Sequence, residues 1–320
     1  MNPRLKKWLT ILSIPVIYAL ILRFIFGLSI IRDFTSVMTI SFLIGVPFGI
    51  GYLAILLSPL ESVRKPSYVL LVSILPDFLF LFITLLLKVE GWGCWVMIFP
   101  IFLILSLLGG SLAARHKIRR ADKKSKLKVS LVLCMPLIMS ALEVHLPDLP
   151  TRYEAYTFID IHAPADSIWN NVVRVRTISP QQDHSTVTNW LGFPRPIRAE
   201  LNYAGVGGSR QAIFSKGLVF EEVVKEYQPE KKMHFSIKAD PHAIPSTTMD
   251  EHIVIGGDYF DVLDGTYELE PLSNGFYRLH LYSHFVLKTH FNFYASWWAG
   301  WIMKDIQNNI LQVIQTRCQG

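Results

Sequence analysis

The chain has 320 residues, enough for two domains, and is 51% hydrophobic with a mean hydropathy of +0.34, yet the apolar excess lies almost wholly before residue 146. A formal net charge of +6 would suit an acidic partner such as nucleic acid, but much of the Lys and Arg falls in short segments between hydrophobic runs, which signals topology and not nucleic-acid binding. The cysteines, Cys94, Cys134 and Cys318, are too widely spaced for a disulfide framework or a metal site, and nothing in the composition points to a protein partner.

The apolar half divides into segments 8–31, 35–57, 67–87, 92–114 and 129–142. A spanning helix needs about 20 apolar residues, which the first four satisfy and the fifth barely approaches. Arg4, Lys6 and Lys7 give the first segment the start of a signal peptide, but it runs on past Arg23 without a small-residue cleavage pattern, so it is read as an uncleaved helix. Basic loops alternate: Arg4 to Lys7, then Arg64 and Lys65, then Arg115 to Lys128. The cation bias predicts a cytoplasmic N-terminus and, with five crossings, a C-terminal half on the far side, the periplasm of a bacterial inner-membrane protein. The run from Arg115 to Lys128 is alternatively a lipid-headgroup or nucleic-acid patch. Each segment carries one proline (Pro15, Pro47, Pro76, Pro100, Pro136), and Gly45, Gly49, Gly109 and Gly110 suggest close helix contacts. Two ionisable residues fall inside spans, Arg23 and Asp77. Buried charge in lipid is expensive, so they are expected to pair, the alternative being that Arg23 snorkels to the interface and Asp77 faces a packed polar spot.

Past Pro147 and Pro150 the composition is that of a globular domain, read as residues 153–320. Tyr156 to His162 reads as a strand and Ala165 to Val173 as a helix, with an irregular helical stretch over 179–191. Period-two patterns follow in 197–203, 210–215, 218–227, 233–237, 266–270 and 276–287. The chain ends in a long helix, 292–317, with Tyr294, Trp298, Ile302, Ile306, Ile310 and Val313 on one stripe. The predicted fold class is an N-terminal all-α transmembrane bundle followed by an α+β domain in which a curved antiparallel sheet wraps round the C-terminal helix.

This order, together with IDIHAPADSIWNNV, FEEVVKEYQPEKKMHFSI and TMDEHIVIGGDYFDVLDGTYELEP, resembles the START-like helix-grip (SRPBCC) superfamily over residues 153–319. The members it most resembles are those described as polyketide cyclase/dehydrase and lipid-transport-like. The resemblance implies an apolar cavity between sheet and C-terminal helix. It does not imply one reaction, because the family includes lipid carriers, hormone receptors and aromatase/cyclases.

Strand parity separates cavity from surface. If Met233, Phe235 and Ile237 face inward, His234 does not; the same rule turns His280, Tyr282 and His284 outward and Tyr203, Tyr267 and Ser283 inward. At Glu221 and Glu222 the pattern is ambiguous, since Val219 and Val223 compete with Phe220 and Val224; one of the two acids points inward, and Glu222 is taken as that one. Asp250 and His252, with Glu251 between them, form a carboxylate–imidazole cluster suited either to general acid/base work or to orienting a loop. Tyr294, Trp298 and Trp301, in an aromatic group with Phe291, Phe293 and Trp297, are read as core, as cavity wall, or as a patch at the membrane interface. Metal-ligand spacing, a nucleophile elbow and a phosphate-binding loop are all missing from the sequence, and no cofactor is called for. The expected function is a membrane-anchored domain that binds or transfers a lipid or other apolar molecule. The alternatives are a cyclase- or dehydratase-type enzyme using Glu222, Asp250, His252 and a tyrosine, and a structural or sensory module.

Overall fold

The computed structural model describes residues 2–28, 36–121, 129–146, 150–239 and 255–319. The chain separates into two compact units, Met1–Asp148 and Leu149–Gly320.

The first unit is helical: α1 (Pro3–Phe26), α2 (Ile40–Leu57), the single turn α3 (Leu60–Val63), α4 (Pro66–Leu86), α5 (Trp92–Ala121) and α6 (Val129–Glu143). The helices α1, α2, α4 and α5 are long and apolar enough to cross a membrane, while α6 is shorter. Their bounds differ from the apolar runs because polar groups cap ends that hydropathy cannot see. Thus α2 starts at Ile40, where the Thr39 hydroxyl accepts from the Phe42 amide, and α5 continues past residue 114 into its basic turns.

Successive helices run antiparallel. Phe26 meets Phe42, Trp8 meets Tyr68, and Phe80 meets Trp95. The helix α6 runs back along α2: Pro136 lies against Gly45, and at the end of α6 the Glu143 carboxylate accepts from the Ile40 and Ser41 amides at 2.7 and 2.9 Å. At the opposite end of α2, Lys117 of α5 donates to the Leu56 carbonyl at 2.7 Å and to that of Ser58. An acid on the orphan N–H groups and a cation on the orphan C=O groups match both poles of the α2 dipole. With α6 lying along most of α2, the chain leaves the bundle at the end opposite Pro3.

The expected Arg23–Asp77 pair does not form. Arg23 is paired with Glu90, in the loop between α4 and α5, and donates to the Val89 carbonyl at 3.3 Å. Arg23 is one turn from the end of α1, whereas Asp77 lies nine residues before Leu86, roughly 13 Å along its helix from that end. The loop acid is therefore the carboxylate within reach.

The second unit is a single antiparallel sheet of eight strands in the order β1-β8-β7-β6-β5-β4-β3-β2. Its strands are β1 (Thr151–His162), β2 (Arg174–Val175), β3 (Pro196–Leu201), β4 (Ser209–Phe214), β5 (Val219–Gln228), β6 (Lys232–Ala239), β7 (Phe260–Pro271) and β8 (Phe276–Leu287). Helix α7 (Ala165–Val173) connects β1 to β2 at the far edge, α8 (Val187–Leu191) lies between β2 and β3, and α9 (Asn292–Gln319) follows β8. The sheet is curled round α9, giving a helix-grip fold. Inward residues alternate as the period-two patterns require: Phe220, Glu222 and Val224 on β5, Met233 and Phe235 on β6, and Leu279, Leu281, Ser283 and Phe285 on β8 are buried.

The grip holds the expected stripe of α9 at Ile302, Ile306, Ile310 and Val313 and departs from it only at the start of the helix. Ala295, Ala299, Met303 and Ile306 pack against one apolar cluster, and Ile310, Leu311 and Ile314 against the other. Small residues at the start of the helix let its backbone approach the sheet. Tyr294 and Trp298 are half-buried beside them, and Trp297 and Trp301 turn outward.

Candidate functional site

Between sheet and α9 lies a cavity of about 110 Å³, walled mainly by Val175, Ile178, Ala199, Ala212, Phe214, Phe220, Val262 and Met303. One water needs roughly 10–15 Å³, so this space takes several waters or part of a small organic molecule. Its buried polar lining consists of Arg210, Glu222, Tyr267, Ser283 and Gln307.

The inward faces of β4 and β5 bring Arg210 directly opposite Glu222, and their side chains form a buried ion pair. Arg210 also donates to the Val172 carbonyl at 3.1 Å and lies 4.6 Å from the centre of the Phe235 ring, a cation–π contact. Phe235 can lie there because it is paired with Gly265 on β7. A Cβ on Gly265 would come within 2.5 Å of that ring, so the glycine makes room for the platform that carries the guanidinium.

Burial pushes the Glu222 carboxyl above the ordinary carboxylate value, with Arg210 partly offsetting the rise. Burial also works against the charge on Arg210, but Glu222 and Tyr267 outweigh it and hold the guanidinium above its usual value. The Tyr267 phenol, likewise raised by burial, stays neutral and faces the pair. On the other wall Gln307 donates to the Ser283 hydroxyl at 2.9 Å and to the Ala155 carbonyl at 3.1 Å, and accepts from Thr157 at 3.1 Å. Each buried polar group lining the interior is therefore engaged by another protein group.

The expected site residues divide as follows. Glu222, Tyr267 and Ser283 line the cavity, and Glu221 is exposed. Tyr203 does not line it: β3 ends at Leu201, Asn202 accepts from the Tyr203 and Ser209 amides to close a turn, and Tyr203 is left 52% exposed. Tyr294, Trp298 and Trp301 are also outside it. Trp301 is 47% exposed and, with Phe293, Trp297 and half-buried Trp298, forms an aromatic group on the outer face of α9. Asp250, Glu251 and His252 lie outside the described residues. His280 and His284 face outward as parity requires, bonded to Tyr156 and Asp264.

Arg210 and Gln307 are the residues that sequence reading missed. The signal for Arg210 was present, since Ala212 and Phe214 on the same parity make it inward. Gln307 carried none, because an amide on a helix reads as a solvent-facing residue until its three partners are known.

No family model and no curated protein matches this chain. Solved structures match its C-terminal half. A START superfamily protein from Mycobacterium smegmatis is 10% identical over 52% of this chain and 97% of its own, with a TM-score of 0.35. Norcoclaurine synthase from Thalictrum flavum is 13% identical over 52% and 94%, with a TM-score of 0.31. DynU16, from the dynemicin biosynthetic locus, is 16% identical over 51% and 47%, with a TM-score of 0.29.

Proposed function

We propose that the C-terminal unit is a ligand-binding helix-grip domain, tethered to a membrane by the N-terminal helices, that takes up a lipid or similar molecule with an apolar body and one polar end. The observation that carries this reading is an apolar cavity whose buried polar groups are already paired with one another. Such an interior binds a ligand through its shape and apolar surface, and one polar group on the ligand can share the Arg210–Glu222–Tyr267 cluster. Catalysis instead needs a free base or nucleophile facing the substrate. Among the described residues the cavity supplies none, and the enzyme reading then rests on Asp250 and His252.

Attachment to a bilayer supports a membrane-derived ligand, because apolar molecules partition into the bilayer that holds the domain.

The test is binding by the full-length protein in detergent micelles. Organic extracts should contain a copurified lipid, and a fluorescent fatty-acyl probe should bind saturably. Ala212→Trp, which fills the cavity from its wall, should weaken the probe at least ten-fold while costing about 1–3 kcal/mol of stability from overpacking. Absence of both copurified lipid and saturable binding in the wild type would sink the proposal; undiminished binding by Ala212→Trp would place the probe elsewhere.

The side of the membrane follows from the same reading. With α6 counted as a crossing and the basic loops cytoplasmic, the cavity domain belongs on the outer side, the periplasm in a bacterial inner membrane. Cys318 is a poor reporter, because it is half-buried against Asn171 and Ser167 and burial pushes its thiol up. Asn308 is exposed on α9. Asn308→Cys, with Cys94, Cys134 and Cys318 replaced by Ser, should react with an impermeant maleimide on intact cells. Reaction only after lysis would assign the domain to the cytoplasm.

A further inference from the structure

Asp77 of α4 has no exposed surface, and neither of its carboxyl oxygens has a hydrogen-bond partner among the described residues. It lies in the interior of the first unit at the junction of α2, α4 and α5. Its neighbouring side-chain hydroxyl is that of Ser106 of α5. The Ser106 hydroxyl, however, donates at 2.8 Å to the Pro47 carbonyl of α2. One turn away on α4, Ser73 donates at 2.6 Å to the Val69 carbonyl. A hydroxyl has one proton, so what Ser106 can offer Asp77 is a lone pair. A carboxylate at this position would face an acceptor.

Charge does not resolve the conflict. Arg23 of α1 is committed to Glu90, and Lys117 of α5 to the C-terminal carbonyls of α2. Tyr18 of α1 donates to the Leu133 carbonyl of α6, and Tyr68 of α4 to Ser58. His116 of α5 lies against Tyr52 of α2, toward the Lys117 end. No cation among the described residues is aimed at Asp77.

We propose that Asp77 is a proton-binding site in the helical unit, a neutral carboxylic acid whose O–H is directed at the Ser106 oxygen. The proton supplies the missing donor, removes an uncompensated charge from an apolar interior, and completes a hydrogen-bonded line from α4 through α5 to the Pro47 carbonyl of α2. The unit then carries a titratable group of its own, independent of the cavity in the second unit.

The experiment is infrared spectroscopy of the full-length protein in proteoliposomes at neutral pH, comparing wild type with Asp77→Asn. Wild type should show the C=O stretch of a protonated carboxylic acid, shifted in D2O, and Asp77→Asn should lose that band. Ser106→Ala, which leaves the acid in place but removes its acceptor, should retain the band at higher frequency. Asp77→Asn should also melt at or above the wild-type temperature, since an amide N–H can replace the acid O–H. A carboxylic-acid region identical in wild type and Asp77→Asn would overturn the proposal. So would a folded Ser106→Ala protein whose band is unshifted, and so would a large fall in melting temperature for Asp77→Asn, which would mean that an ionised carboxylate had a partner.

Discussion

Glu222→Ala is expected to destabilise the C-terminal unit by about 3–5 kcal/mol, one of the two largest single-residue effects in the protein. Arg210 and Glu222 are 4% and 5% exposed. Removing the acid leaves a guanidinium with the Val172 carbonyl and the Phe235 ring but without its counter-charge. Arginine cannot escape by losing its proton, so the cost falls on folding. The pair as a whole is worth much less than either half, because both ions were desolvated to form it. Arg210→Met combined with Glu222→Leu should therefore recover most of the loss. Denaturant unfolding of the full-length protein, read by hydrogen exchange in β4 and β5, separates the cases. A loss under about 1 kcal/mol for Glu222→Ala, or a double variant no better than the single, would show that water or another group already compensates Arg210.

Most of the frame around this pair was legible in the sequence, and the reasons are local. Alternation in Met233 to Ile237 and in Leu279 to Phe285 turns the right side chains inward, since a strand with one buried face must keep period two. The same rule left Glu221 and Glu222 open, because Val219 and Val223 alternate as well as Phe220 and Val224, and the structure buries Glu222. Parity fails at Tyr203 because it holds only while the strand lasts, and Asn202 ends β3 with two side-chain hydrogen bonds. On α9 the helical period held at Ile302, Ile306, Ile310 and Val313 and slipped only at the start, where Ala295 and Ala299 pack against the sheet cluster, because a helix lying against a curled sheet is admitted by side-chain size. Arg23 was assigned the wrong acid because intramembrane charges were matched only with one another, while Glu90 stands in a loop at the helix end.

In the helical unit the largest effect is expected at Gly51. A Cβ there would lie 1.9 Å from the Ser106 carbonyl oxygen, and one on Gly109 would lie 2.1 Å from that of Phe48. Both obstacles are backbone, on opposite sides of the α2–α5 contact, so rotamer changes cannot relieve either. The helices must separate, and with them the Ser106–Pro47 hydrogen bond and the wall around Asp77. Small residues are what allow such an approach in an apolar bundle, where association depends on close packing. Gly51→Val should therefore cost at least the ~1–3 kcal/mol typical of overpacking and lower the melting temperature of the helical unit in detergent. Gly300→Ala on α9 is the matched contrast: a Cβ there meets nothing within 4 Å. It should stabilise the C-terminal unit by about 0.5–1 kcal/mol, because alanine loses less backbone freedom than glycine in a helix. If both substitutions proved neutral, the α2–α5 backbones would have to lie farther apart than the glycines imply. Loss at Gly51 with gain at Gly300 would tie the cost to backbone contact and not to glycine replacement as such.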